Sequence, residues 1–189
     1  PYTIIERQGV KIAVLGMITP GIPMWLPENL WSGLRFDDML QVAQRYMPEM
    51  RKKADIVVGL FHSGVGKDKG TPIAAENASV AVAENVPGFD IVFCGHDHRR
   101  ANRRIVNTAG DSVWVLNPAA QAHAIAKADF TITLNGKKVV SKKVEGSLVD
   151  IDHLTPDADF MKTFATQFEQ GKKFTNDLVG KSQNTMESL

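Results

Sequence analysis

Near-continuous apolar runs at residues 10–18, 55–61 and 90–94 are the strongest pattern in the chain. Each is too short for a buried helix and too unbroken for a strand with one wet face, so each reads as a strand covered on both sides. Tyr2-Thr3-Ile4-Ile5-Glu6 pairs with the first run across a turn at Gln8-Gly9. Residues 19–35 hold three prolines, two glycines and two tryptophans, which predicts a long ordered loop. Met39, Val42, Ala43, Tyr46 and Met50 then recur at helical spacing behind Asp37 as cap. Arg51, Lys52 and Lys53 suit the negative end of that helix dipole, and Pro48 predicts a kink or a restart. A glycine-rich loop over 64–72 and a helix near 74–85 lead into the third run. This β-α-β-α-β order predicts parallel strands with helical crossovers.

The second half changes period. Val113–Leu116 is a short strand, and Ala126, Ala128, Phe130, Ile132 and Leu134 alternate with polar neighbours. Asn135-Gly136 supplies a two-residue turn into residues 137–145, a hairpin added to the parallel core. Thr155 as cap and Pro156 at the first helical position open a last helix with Phe160, Phe164 and Phe168 on one stripe. The fold class expected is mixed α/β (α+β), a parallel core followed by antiparallel sheet.

Composition narrows the partners. A chain of 189 residues with 43% hydrophobic and 23% charged content carries a true core. A net charge of +1 favours neither a nucleic-acid polymer nor an anionic membrane. No apolar stretch approaches the roughly 20 residues of a membrane span. Cys94 stands alone, which excludes an internal disulfide. The start at Pro1-Tyr2, without a Met, reads as trimmed.

Candidate chemistry sits where two of the buried runs end. His62-Ser63-Gly64 follows the second, and Gly95-His96-Asp97-His98 follows the third. Chains leaving the carboxyl edge of a parallel sheet converge on one crevice, so His62, His96 and His98 are candidate metal ligands. Asp97 is better suited to bracing the turn than to ligation. Ser63 lacks a triad partner and reads as a turn residue. The stretch Gly64–Gly70 misses the phosphate-loop register. Arg99, Arg100, Arg103 and Arg104 read as a solvated turn, with anion steering the less favoured reading. Trp25 and Trp31 anchor the long loop or line a cleft, whereas His123 and His153 fall outside the site.

Through Val10–Pro20, Ala43–Arg51, Ala54–Gly64, Glu76-Asn77-Ala78 and Val86–His98 the chain resembles the calcineurin-like metallophosphoesterases. More narrowly it is similar to the 5′-nucleotidase and 2′,3′-cyclic-nucleotide 2′-phosphodiesterase/3′-nucleotidase group. The wording around Tyr46–Arg51 leans toward the cyclic phosphodiesterase branch. The resemblance implies a two-sheet β-sandwich flanked by helices, holding two divalent ions, Zn or Mn, at the sheet edge. It makes His62 and His96 ligands of one ion and His98 a ligand of the other. It also implies a nucleotide substrate and a periplasmic or secreted setting. The family's remaining ligands lie in D-x-H, G-D and G-N-H-[DE] motifs. No D-x-H precedes His62, no Gly-Asn-His occurs, and Gly110-Asp111 comes too late. Residues 1–150 are therefore expected to be the C-terminal portion of a catalytic domain. Residues 151–189 are expected to be a helix and connector toward a nucleotide-binding domain.

That reading has a physical consequence. Two adjacent cations need carboxylates to offset their repulsion, and three neutral imidazoles supply none. The chain alone is expected to hold at most one ion, weakly, to be inactive, with no catalytic residue of its own assigned, and to associate with itself through exposed apolar edges. Two other readings stand beside it: a non-catalytic metal-binding or interaction module, and a single-zinc hydrolase built on the three histidines.

Overall fold

The computed structural model describes residues 1–66 and 76–181, arranged as two compact units, Pro1–Asp152 and a second from His153 onward. In the first unit, β1 (Tyr2–Arg7) and β2 (Val10–Ile18) form the expected hairpin. A loop carrying one helical turn, α1 (Ile22–Trp25), and a 3-10 turn at Glu28–Leu30 leads to α2 (Met39–Lys53). Then come β3 (Ile56–His62), α3 (Ser79–Asn85), β4 (Ile91–Cys94), β5 (Arg100–Val106) and β6 (Ser112–Pro118). The six strands lie in the order β1-β2-β3-β4-β6-β5. The central four are parallel, and β1 and β5 run antiparallel at the two edges. A second sheet is the long hairpin β7 (Ala124–Asn135) and β8 (Lys138–Asp150).

Both faces of the six-stranded sheet are apolar, as unbroken runs require. One face, with Ala13, Leu15, Val57, Phe61, Val92 and Val115, packs under α2 and α3. Helix α2 buries Met39, Ala43, Met47 and Met50 there. On the other face β8 crosses β6, where Trp114 Nε1 donates to the Val144 carbonyl at 3.1 Å. Gly146 permits that approach, since a Cβ would sit 3.0 Å from Leu116. The hairpin does not reach the carboxyl end of β2 and β3. Ile18 and Leu60 remain 51% and 56% exposed on the same side as His62. Asp90 ties the sheet's opposite end together, accepting from Arg51 at 2.8 Å, Lys142 at 2.7 Å and the Val57 amide at 2.8 Å.

Several expectations need correction. The arginine cluster is not a solvated turn, for Arg100, Arg103 and Arg104 lie in edge strand β5, and charge on an edge blunts further pairing. Arg100 pairs with Asp150 at 2.5 Å, and the Arg104 guanidinium lies 5.6 Å from the Trp114 ring. Helix α2 neither stops nor restarts at Pro48, because Pro48 and Gln44, whose carbonyl loses its partner, both face water. Its cap is Asp38, whose carboxylate accepts from Gln41 N at 2.8 Å, while Asp37 pairs with Arg35. Helix α3 begins at Ser79 rather than near 74, and most of the glycine-rich loop, residues 67–72, lies outside the described residues.

In the second unit, α4 (Ala158–Asn176) is capped by Asp157, which accepts from Phe160 N at 2.7 Å, so Thr155 is not the cap. The Phe160 and Phe164 rings lie 4.6 Å apart on its exposed stripe. Among the described residues no helix is long and apolar enough to cross a membrane.

Candidate functional site

The carboxyl ends of β2, β3, β4 and β6 gather the chemistry. His62 closes β3, and Thr19, just past β2, donates its amide to the His62 carbonyl at 2.9 Å. Across the β3–β4 boundary His62 Nε2 and His96 Nδ1 stand 3.3 Å apart, with ring centroids 5.0 Å apart. The other nitrogen of His96, Nε2, lies 2.8 Å from Glu76 Oε1. Trp25, from α1, stacks on the His96 ring at 5.1 Å and 22°. His96 and His98 both hold left-handed backbone, at φ 85° and 55°. That conformation is uncommon outside glycine and concentrates where the surroundings enforce it.

Asp97, between the two histidines, braces the loop. Its Oδ2 accepts from Val65 N at 2.9 Å, and its Oδ1 accepts from Asn117 Nδ2 at 2.7 Å and Arg99 N at 3.3 Å. Asn117, fully buried in β6, returns an acceptor to Ala119 N at 3.0 Å. Ser63 is likewise structural. Its Oγ donates to the Glu76 carbonyl at 2.8 Å and accepts from Ala78 N at 2.8 Å, stitching the start of α3 to the end of β3. Burial pushes the Cys94 thiol up to about 12, aided by the charge of Asp97 and opposed by a hydrogen bond from Ser79. It is an inert neighbour of the crevice at neutral pH.

The three candidate ligands thus have different fates. His62 and His96 come together, whereas His98 lies exposed at the head of β5. Among the described residues no three His, Cys, Asp or Glu side chains form a group able to hold a metal ion. The pair itself fits one ion. With metal–nitrogen bonds of about 2.0–2.1 Å, adjacent corners of a tetrahedron lie about 3.3 Å apart, which matches the observed nitrogen separation. His123 pairs with Asp152 at 2.7 Å, and His153 opens the second unit. Trp25 meets the site and Trp31 instead donates to the Leu26 carbonyl at 3.0 Å. Glu76 counted in the sequence only toward the resemblance and was not among the candidate site residues. Its only signal was that a ligating imidazole commonly needs a carboxylate for its second nitrogen.

No protein-family model matches the chain. It is 30% identical over 207 residues to a 2′,3′-cyclic-nucleotide 2′-phosphodiesterase/3′-nucleotidase of Haemophilus influenzae, covering 98% of this chain and 31% of that protein. To the protein of the same name from Salmonella typhimurium it is 39% identical over 101 residues, 51% of this chain and 15% of that one. In fold it resembles the calcineurin-like phosphoesterase YfkN from Bacillus subtilis, with a TM-score of 0.72 over 94% of this chain and 59% of that one, at 21% identity. The chain is thus similar in sequence to relatives named as nucleotide phosphoesterases and nucleotidases, and its fold is that of a calcineurin-like phosphoesterase. It spans less than a third of the length of those first two relatives.

Proposed function

We propose that the chain is part of a dinuclear metal-dependent phosphoesterase that hydrolyses nucleotides, as a 2′,3′-cyclic-nucleotide 2′-phosphodiesterase or a 3′- or 5′-nucleotidase. The supporting observation is the 3.3 Å approach of His62 Nε2 to His96 Nδ1 at the carboxyl edge of β3 and β4. In this reading His62 and His96 hold one ion and His98 serves the second. A longer protein supplies the carboxylates that let two cations, Zn or Mn, sit together. The ions supply Lewis-acid polarisation of the phosphoryl group and activation of water. The chain's own residues orient the imidazoles and hold the β3, β4 and β6 loops around them. Periplasmic or secreted placement and residues 1–150 as the C-terminal portion of the catalytic domain belong to the same reading. So does a connector role for residues 151–189.

The test is titration of the chain with Zn or Mn together with turnover of 2′,3′-cyclic AMP and 5′-AMP. Weak binding of one ion, lost in both His62→Ala and His96→Ala, with negligible turnover by the 189-residue chain, is the expected result. Robust turnover by the chain alone overturns the shared-site reading, and metal binding indifferent to both substitutions overturns the ligand assignment. The absence of a three-ligand group among the described residues weighs against a self-contained single-zinc hydrolase.

A further inference from the structure

We infer that Glu76 and Trp25 are positioning residues that preset the tautomer and orientation of His96, so that its Nδ1 lone pair faces His62. This rests on the metal-ligand reading above. An ionised carboxylate only accepts hydrogen bonds, so the 2.8 Å contact of Glu76 Oε1 with His96 Nε2 places the ring hydrogen on Nε2. A neutral imidazole carries one such hydrogen, which leaves Nδ1 bare. That bare nitrogen is the atom 3.3 Å from His62 Nε2. It can then accept a hydrogen bond from His62 Nε2, and both nitrogens would be free to hold an ion once the His62 ring hydrogen sits on its outer nitrogen.

Two further contacts hold the geometry. Trp25 covers one face of the ring at 22°, opposing rotation about the Cβ–Cγ bond. The Glu76 main chain is fixed to the end of β3 by the Ser63 hydroxyl at 2.8 Å, so its carboxylate approaches from a defined side. His96 is the more enclosed of that pair, with its side chain 17% exposed against 40% for Glu76. The carboxylate therefore reaches inward to the ring.

Two readouts on the same chain decide the matter. Long-range proton–nitrogen correlation of histidine-labelled protein in mildly alkaline buffer, without metal, reports which ring nitrogen of His96 is protonated. Zinc titration reports affinity. The expected outcome is an Nε2–H tautomer in the parent chain, with tautomer mixing in Glu76→Ala. Zinc affinity should fall about 10- to 100-fold in Glu76→Ala, less in Glu76→Gln, and in Trp25→Ala more than in Trp25→Phe. Thermal melting of each variant identifies any that fails to fold, and the conservative partner then carries the comparison. An Nδ1–H tautomer in the parent chain overturns the inference. So does zinc affinity unchanged in Glu76→Ala and Trp25→Ala while His96→Ala abolishes it, a result that leaves the ligand reading intact. Failure of the ligand reading is a different signature: zinc binding that ignores His62→Ala and His96→Ala, with the tautomer result still deciding the role of Glu76.

Discussion

Asp97→Asn is the substitution that best tests how the loop after β4 is held. The two carboxylate oxygens serve separate donors, Val65 N–H at 2.9 Å and Asn117 Nδ2–H at 2.7 Å. Neither donor has water as an alternative, because Val65 is 5% exposed and Asn117 is fully buried. An asparagine at 97 has one acceptor oxygen, so its amide NH2 must face one of the two donors. Leaving a buried donor unpaired costs about 1–3 kcal/mol, and the surviving bond loses the roughly twofold strength that charge gives it. The expected loss is about 2–3 kcal/mol, which in a chain of this size lowers the melting temperature by roughly 4–12 °C. Urea unfolding followed by tryptophan fluorescence measures it, and an Asp97→Ala/Asn117→Ala double-mutant cycle isolates the pair. An Asp97→Asn chain within about 0.5 kcal/mol of the parent, the range of ordinary surface substitutions, would refute the reasoning.

Other outcomes follow from the same geometry. Gly66 has φ 47°, and a Cβ there would meet the Asn77 carbonyl oxygen at 1.6 Å, whereas nothing lies within 4 Å of one at Gly16. Thermal melts should show Gly66→Ala destabilised by at least about 2 kcal/mol, with Gly16→Ala nearly unchanged. The Cys94 thiol, raised from 9.0 to about 12, should resist a disulfide reagent at mildly alkaline pH until the chain unfolds. Because its folded value is raised, the stability it contributes is whole below pH 9.0 and is lost as pH climbs toward about 12. Fast labelling of the folded chain contradicts this. Asp90→Ala removes the acceptor of the Val57 amide and leaves Arg51 and Lys142 only carbonyl partners, and should cost about 1–3 kcal/mol in urea unfolding.

Much of this fold was legible because buried parallel strands announce themselves by unbroken apolar runs. The β7–β8 hairpin was legible for the opposite reason, strict alternation around Asn135-Gly136, although nothing local marked the irregularity between Thr133 and Leu134. Strand β5 was hidden. Only Ala101 and Ile105 carry its apolar face, and its arginines find their partners in Asp150, far along the chain, and in the Trp114 ring across the ladder on β6. The two misplaced caps were near misses. Asp38 stood beside Asp37 and Asp157 beside Thr155, and the oxygen that wins depends on backbone angles no composition reports. The candidate site was legible as His62 and His96, which are fixed to adjacent strand ends. Glu76 and Trp25 reach the same ring from loops whose paths the sequence does not encode locally.

The distribution of backbone strain ties these pieces together. Among the described residues six non-glycine residues have positive φ, and one of them is Gln8 in the first hairpin turn. The other five, His96, His98, Ala119, Gln121 and Ala122, follow β4 or β6. Left-handed backbone costs such residues roughly 1–2 kcal/mol each, so two neighbouring loops hold most of the strain at one edge of the sheet. The Asp97–Asn117 hydrogen bond ties the first loop to the end of β6, Asn117 holds the start of the second through Ala119 N, and Val65 N links Asp97 to the segment after β3. Strain persists only where surrounding contacts over-determine it, and this carboxylate is the evident over-determining contact. If so, stability and ring geometry are coupled: Asp97→Asn should weaken zinc binding by His62 and His96 along with the fold, although Asp97 touches neither ring. Gly16→Ala, on the same sheet but away from both loops, should alter neither quantity. A variant at 97 that loses stability while keeping full zinc affinity would separate the two loops' strain from the placement of His96.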